Sequence, residues 1–293
     1  RSFESAEVFA HDLGIESAHS SYQELVNDPQ VDVVYVATPH SEHREHALLA
    51  IQAGKHVLVE KSFARNIAEA TEVFEAAKAA GVFVMEGMWT RFLPHVIGLH
   101  DVIARGDIGE IVNITADCGQ YIFYDPSHRH YNPDLAGGAL LEFGVYPVAF
   151  AHDFLGVPDT ITAVGSLTPD GVDGQASVVL SYGEQAQAIL STTLWSTTPA
   201  IASISGTGGR IEVTGPFYTS DATYSVHPMT ARPFAFSATY QRGMRYEIAE
   251  VARCIADGRT ESERMSHQAT LDVIATMDEI RRQVGVVYPG EPG

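Results

Sequence analysis

Three short apolar runs recur along the first third of the chain, and they leave few folds open. Residues 31–36 (Val31-Asp32-Val33-Val34-Tyr35-Val36), 57–59 (Val57-Leu58-Val59) and 82–85 (Val82-Phe83-Val84-Met85) are β-branched or apolar with little alternation. A strand that meets solvent on one side alternates, so these runs read as strands buried on both faces. Helical patterns lie between them. From Ser41 a helix carries Ala47, Leu48 and Ile51 to Gly54, and an Ala- and Glu-rich helix over 67–80 ends at Gly81, glycine being the usual terminating residue. The alternation predicts a parallel sheet with right-handed crossovers. Such sheets bind ligands at the carboxyl ends of their strands, and the middle run ends in Glu60-Lys61-Ser62. Taken alone, Glu60-Lys61 is an ordinary solvated ion pair, common and weak.

Ahead of these runs, residues 4–13 read as a helix with Ala6, Phe9, Ala10 and Leu13 on one face, stopped by Gly14, and 22–26 as a short helix. After Leu93-Pro94 a helix runs to about 103, and past the turns at Gly106 and Gly109 the texture changes. Residues 111–117 alternate, a polar loop spans 121–134, and Gly137-Gly138 opens an apolar helix to about 155. Residues 161–167, 176–182, 186–194, 200–205 and 211–213 read as strands separated by Gly or Pro turns, which predicts an antiparallel sheet. Two helices close the chain, one with Met244, Ile248, Val251 and Ile255 on a face, the other over 267–284. The expected fold class is α/β. A partial, truncated Rossmann-type parallel sheet domain (1–109) is followed by an α+β domain (110–293) with a large, mostly antiparallel open sheet, the last helix being free to pack back on the first domain.

With 18 Lys and Arg against 37 Asp and Glu, the formal charge of −19 repels phosphate backbones and anionic membrane surfaces, so no nucleic-acid partner is expected. No uninterrupted apolar run reaches the roughly 18 residues of a membrane span. Without a basic-then-apolar leader, and with two cysteines, Cys118 and Cys254, that form no disulfide framework or metal spacing, a cytoplasmic location is the expectation. No Gly-x-Gly-x-x-Gly follows a strand, and Gly206-Thr207-Gly208-Gly209 reads as a hairpin turn.

Three spaced motifs carry more. Ala37-Thr38-Pro39-x-x-x-His43, then Glu60-Lys61, then Gly137-Gly138-x-x-x-Glu142-x-Gly144-x-Tyr146 stand in the order and spacing of the Gfo/Idh/MocA oxidoreductases. The chain resembles that family along essentially its whole length. Met85-Glu86-Gly87-Met88-Trp89-Thr90-Arg91-Phe92-Leu93-Pro94, together with Tyr146, is similar to its dihydrodiol and xylose dehydrogenase branch. Members begin with a strand, a glycine-rich turn, a helix and a second strand. The sequence as written opens where that second strand should end, so it is expected to be truncated and to bind cofactor poorly.

The resemblance implies NADP as cofactor, NAD being possible, with Arg1 meeting the adenosine 2′-phosphate. It implies that Thr38, Pro39, His40, His43, Glu60, Lys61, Trp89 and Arg91 line the cofactor, and that Lys61, Trp89, Glu142 and Tyr146 face the substrate. Tyr146 becomes the acid/base and Lys61 its partner: tyrosine is a poor base at its reference pKa of about 10, and an adjacent ammonium favours the phenolate. The opposing readings are a core tyrosine with its hydroxyl satisfied, and for Trp89 a core aromatic. Glu142 stands where the family usually has Asp. Ser62 stands where it usually has Pro, which removes a fixed φ and predicts a looser strand exit. Gly137-Gly138 permits close backbone approach and an exposed helix N-terminus. His43 and His46 share a helix face, but no third ligand stands nearby, so no metal is expected. The loop 125–132 either covers a hydroxylated substrate or is simply solvated. The expected function is NADP-dependent hydride transfer between nicotinamide and a sugar, polyol or trans-dihydrodiol hydroxyl. The alternative is a non-catalytic nucleotide- or ligand-binding regulatory protein on the same scaffold. A homodimer or homotetramer through the open sheet is expected, with residues 186–190 in one face.

Overall fold

A computed structural model describes residues 2–237 and 243–291. The first part contains α1 (Phe3–Leu13), α2 (Tyr22–Asn27), β1 (Val33–Val36), α3 (His43–Gln52), β2 (His56–Glu60), α4 (Ile67–Ala80), β3 (Val84–Gly87) and α5 (Pro94–Ala104). The strands form a parallel sheet in the order β1-β2-β3, with Val34, Val57 and Val84 in register. Local chemistry sets the crossover: Asn66 caps α4 by accepting the Glu69 N–H at 3.0 Å, and Gly81 closes it at φ 67°. In the central strand Val57 and Val59 are fully buried, as unalternating apolar residues require.

Two expectations about burial fail at the edge of this sheet. β1 is an edge strand, and among the described residues nothing covers one of its faces, so Val33 and Tyr35 are exposed. α1 likewise buries only Ala10 and leaves Phe9 and Leu13 exposed.

The second part contains β4 (Ile111–Gly119), α6 (Val145–Leu155), β5 (Thr160–Leu167), β6 (Asp173–Tyr182), β7 (Ala186–Thr193), β8 (Ala202–Gly206), β9 (Gly209–Val213), β10 (Tyr224–Pro228), β11 (Phe234–Phe236), α7 (Arg245–Ala256) and α8 (His267–Val284). Its eight strands run in the order β11-β10-β9-β8-β4-β7-β6-β5. The β4–β7 pair is parallel and the others are antiparallel. Gly206 and Gly209 face each other across the β8–β9 hairpin.

Residues Pro133–Leu155 are long and apolar enough to cross a membrane, yet 94% of their most apolar eighteen-residue window is buried inside the protein. Packing in the core accounts for its apolarity. α7 is rotated from the face the sequence suggested: Glu247, Val251 and Cys254 are buried, whereas Met244 and Ile248 are exposed. α8 serves both parts. Ile274 sits in the core of the parallel sheet while Val273, Met277 and Ile280 belong to the core of the large one.

Three buried acids hold protons unusually tightly. Burial pushes Glu86 up to about 7 despite its bonds from Thr270 and the Phe63 N–H, and pushes Asp173 up to about 7. Burial, then the charges of Glu60 and Glu86, push Glu247 up to about 8. A raised acid keeps its proton in the folded state after the unfolded chain has released it, so its contribution to stability is lost as pH rises toward the folded pKa. Buried neutral histidines such as His40 and His152 act in the opposite sense below their ordinary value. The clean measurement is therefore the difference in unfolding temperature between wild type and Glu86→Gln. It is expected to widen in the variant's favour from about pH 5 to about pH 7 and then level off; a difference independent of pH would contradict the assignment.

Candidate active site

β2 delivers Glu60 and Lys61 to the junction of the two sheets, where Lys61 meets the helix that leads into α6. Its Nζ donates to the Glu142 carbonyl at 2.9 Å and lies 3.4 Å from Glu142 Oε1. That carbonyl is available for a reason visible in the covalent structure. Residues Leu140–Gly144 form a π turn, in which the Val145 N–H reaches back to the Leu140 carbonyl. Pro147, five residues after Glu142, has no N–H to offer in that register.

The neighbouring residue repeats the arrangement. Ser62 Oγ donates to the Leu141 carbonyl at 2.9 Å, and the Ser62 carbonyl lies 2.9 Å from His43 Nδ1. His43 Nε2 is 2.8 Å from the Thr38 carbonyl. Ser62 is buried and fastened on both sides, so the strand exit expected to be looser than in relatives with Pro is tied instead by side-chain hydrogen bonds. His43 thereby clasps the exits of β1 and β2. His46 Nδ1 meets Thr38 Oγ1 at 3.0 Å, and among the described residues no three His, Cys, Asp or Glu side chains are grouped to hold a metal ion.

Glu142 is the hub. The Arg129 guanidinium grips its two oxygens at 2.7 and 3.0 Å, His130 Nε2 stands 3.6 Å away and His40 Nε2 4.0 Å away. Burial alone would raise this carboxyl, but His130, Lys61, Arg129 and His40 outweigh it and hold it far below the usual carboxylate range. Glu142 is thus ionised throughout the pH range of a folded protein. His40 is driven the other way, down to about 3, by burial and then by His43 and Lys61. The polar loop over 125–132 therefore reaches the site through Arg129 and His130, whose individual roles the sequence did not disclose.

Tyr146 lies one turn beyond Glu142, 9% exposed, stacked on Tyr218 at 4.5 Å and hydrogen-bonded to Trp89. Lys61 Nζ sits 5.2 Å from the centroid of its ring. The expectation that the ammonium would favour the phenolate does not hold in this state. Burial, then the Glu60 and Glu142 carboxylates, hold the phenol well above its ordinary value against the Trp89 hydrogen bond, while the hydrogen bonds of Lys61 go to Glu142. Tyr146 is a protonated acid here.

The glycine pair also has a different purpose from the one expected. A Cβ on Gly137 would lie 2.7 Å from the Arg129 and His130 carbonyls, and one on Gly138 would lie 2.2 Å from Asp173 Oδ1. The glycines admit protein, and the helix end they open is capped from within: the Leu140 N–H donates to Asp173 Oδ2 at 2.7 Å.

Beside Lys61 a cleft of about 400 Å³ is lined by Thr38, Pro39, His40, Glu60, Arg129 and Glu142. Glu60 accepts from the Tyr35 hydroxyl and from the Lys61 N–H. Acceptors and an ammonium at the carboxyl ends of parallel strands suit the hydroxyls of a nicotinamide ribose, and the cleft fits that end of a dinucleotide. Arg91 does not line it: its Nε lies 3.7 Å from Asp153 Oδ1 and its Nη1 donates to the Arg264 carbonyl. Arg1 lies outside the described residues.

A parallel sheet that presents an acid and a lysine at one strand end, to a buried tyrosine carried by the second sheet's helix, defines a two-part nucleotide-dependent oxidoreductase. The chain belongs to the Gfo/Idh/MocA family: residues 1–88 match the oxidoreductase family with NAD-binding Rossmann fold and residues 96–214 the GFO/IDH/MocA C-terminal domain. It is 36% identical to a trans-1,2-dihydrobenzene-1,2-diol dehydrogenase of Xenopus tropicalis, covering 99% of this chain and 89% of the relative. To a D-xylose 1-dehydrogenase (NADP(+)) of Hypocrea jecorina it is 36% identical over 92% of this chain and 77% of that one. Among solved structures it is similar to an aldose-aldose oxidoreductase from Caulobacter crescentus complexed with glycerol (TM-score 0.86, 25% identity, 96% of this chain and 87% of the other). A 3-ketoreductase from Actinomadura kijaniata with NADP and TDP-benzene matches equally well (TM-score 0.86, 25% identity, 97% and 87%).

Removing the ties at this junction has graded consequences. Ser62→Ala leaves the Leu141 carbonyl without that donor and is expected to cost about 1 kcal/mol of stability. Glu142→Ala strands Lys61 and Arg129 beside each other and is expected to cost about 3 kcal/mol. Urea unfolding of both variants measures this; equal, negligible losses would remove the junction from the account.

Proposed function

We propose that the protein is an NADP-dependent dehydrogenase or reductase acting on a hydroxylated small molecule, a sugar, polyol or trans-dihydrodiol. One observation carries the reading: Lys61 from the end of β2, and Glu142 and Tyr146 from the helix packed on the second sheet, converge beside a cleft at the ends of parallel strands. The names of the relatives support the substrate class and the cofactor.

The bound nicotinamide supplies the hydride in reduction or takes it in oxidation. In reduction Tyr146 gives its proton to the carbonyl oxygen as the hydride reaches the carbon, and solvent then returns a proton to the phenolate. The Lys61 ammonium, held by Glu142, faces the oxygen on which negative charge develops and stabilises it. Arg129 and His130 cover the site, and the rings of Trp89 and Tyr218 around Tyr146 form an apolar wall suited to either a sugar face or a diol ring. Because Tyr146 rests protonated, oxidation must first remove that proton. Its rate is expected to rise with pH while the reduction rate falls.

Fluorescence titration with NADPH and NADH, followed by turnover on xylose, other aldoses, polyols and dihydrodiols, tests the proposal. Tyr146→Phe is expected to keep NADPH affinity and to lower kcat on the order of 100-fold or more. Tight NADPH binding without turnover on any substrate would favour a binding protein on the same scaffold.

The open face of the large sheet supports a homodimer or homotetramer. Thr115, Ile189, Val179 and Thr162 stand side by side across β4, β7, β6 and β5. This uncharged row belongs to a chain of formal charge −19, and its centre, Ile189, is exposed. Sedimentation equilibrium is expected to show an oligomer that Ile189→Arg dissociates; a wild-type monomer at high concentration would remove the oligomer.

A further inference from the structure

The helix that carries Glu142 and Tyr146 begins without a local cap. Helices leave their first N–H groups without intrahelical acceptors, and Ala139, which precedes the π turn, has no side-chain oxygen to offer. The missing acceptor comes from the start of β6, more than thirty residues later in the chain. We propose that Asp173 is a positioning residue for the reaction: it fixes the start of this helix, and through it the placement of Glu142 and Tyr146 against Lys61.

Four observations converge on that role. Asp173 is 1% exposed and its Oδ2 receives the Leu140 N–H at 2.7 Å, an acceptor set at the otherwise uncapped start of a helix. Gly138 adopts φ +118° and lets the Asp173 carboxyl group come so close that any Cβ would lie 2.2 Å from Oδ1. The preceding carbonyl, that of Gly137, receives the hydroxyl of the fully buried Tyr288 at 2.7 Å. Tyr288 is in turn held under Arg281, whose guanidinium is 4.7 Å from its ring centroid and is bonded to Asp278 and Glu291. The helix start is thus gripped on its N–H side by β6 and on its carbonyl side by the segment after α8. Glu142 follows Leu140 by two residues and Tyr146 by six, so displacement at this end moves the carbonyl that Lys61 grips and the phenol beside it.

The proposal rests on the dehydrogenase reading, and the experiment separates the two. Hydrogen exchange by mass spectrometry is compared for wild type, Asp173→Ala, Asp173→Asn and Asp173→Ser, alongside kcat and NADPH affinity. In Asp173→Ala, peptides covering 139–146 are expected to exchange about ten-fold faster or more while β2 and β7 peptides are unchanged. The kcat value should fall by about ten-fold or more with NADPH affinity retained. Asp173→Asn keeps an oxygen for the Leu140 N–H and is expected to stay within about three-fold of wild type in both measures. Should the alanine variant fail to fold, Asp173→Ser, whose hydroxyl falls short of Leu140, is read in its place with the same expectation. Unchanged exchange over 139–146 in the alanine or serine variant, or an asparagine variant as impaired as alanine, would overturn the assignment. A wild type that turns over no substrate would refute the dehydrogenase reading, and the exchange data would still decide whether Asp173 holds the helix.

Discussion

Everything at the site depends on an ammonium and a carboxylate brought together at the wall of a cleft, with most of the water around them displaced by protein. Lys61 follows a strand of the parallel sheet and Glu142 lies on the helix of the second part, and each is largely buried. Such a pair is stabilising only when the remaining donors and acceptors are also satisfied. Here they are: the Glu142 carbonyl takes Lys61, and the carboxylate takes the fork of Arg129. Counting Glu60, two carboxylates meet two cations around the cleft. A chain of formal charge −19 has thereby built a locally neutral pocket, which suits an uncharged, hydroxyl-bearing ligand.

The same environment separates two acids by role. Glu142 is held ionised by the cations around it, whereas Tyr146, one turn later, is held protonated by burial and by the carboxylates nearby. Groups pushed apart in this way mark which one moves a proton and which supplies fixed charge. Glu142 is the fixed charge, since its oxygens are occupied and its proton affinity is too low for transfer near neutrality. In the proposed reaction Tyr146 holds the proton to be moved.

How much of this could be read from the chain varies with the range of the interaction. The β2 run and the glycine at the end of α4 express burial and local backbone conformation, and both are legible in a few residues. Glu60, Lys61, Glu142 and Tyr146 were legible through their spacing against a family pattern. β1 has the same apolar texture as β2, but its exposure depends on whether another element packs over its face, a property no local window contains: β3, the other edge strand, is buried throughout. α7 was misread for a related reason. Its buried face includes Glu247, a residue that hydrophobic periodicity excludes. Ser62 looked like a weakened turn because the hydroxyl's acceptor, the Leu141 carbonyl, is 79 residues away. Asp173 and Arg129 were invisible as site residues for the same cause. One long-range feature did leave a local trace: Pro147 withholds the N–H that would otherwise compete for the Glu142 carbonyl, and a proline placed there is a signal that the preceding turn is irregular.

Besides their direct hydrogen bonds, the two halves of the site are registered against each other by one rod, α8, whose eighteen residues span about 27 Å. Near one end, Thr270 donates to Glu86 on β3, and Glu86 accepts the N–H of Phe63, two residues past Lys61. Near the other, Arg281 supports Tyr288, which holds the carbonyl of Gly137 at the start of the helix bearing Glu142 and Tyr146. Lys61 is therefore referenced to one end of α8 and Tyr146 to the other. Between them Asp278 accepts the first N–H of α4, so the rod is also pinned to the parallel sheet's own helix layer. A rigid helix transmits position far better than a loop, because its length is set by backbone hydrogen bonds and not by side-chain packing alone. The separation between ammonium and phenol is thus a property of α8 as much as of the residues that meet in the cleft.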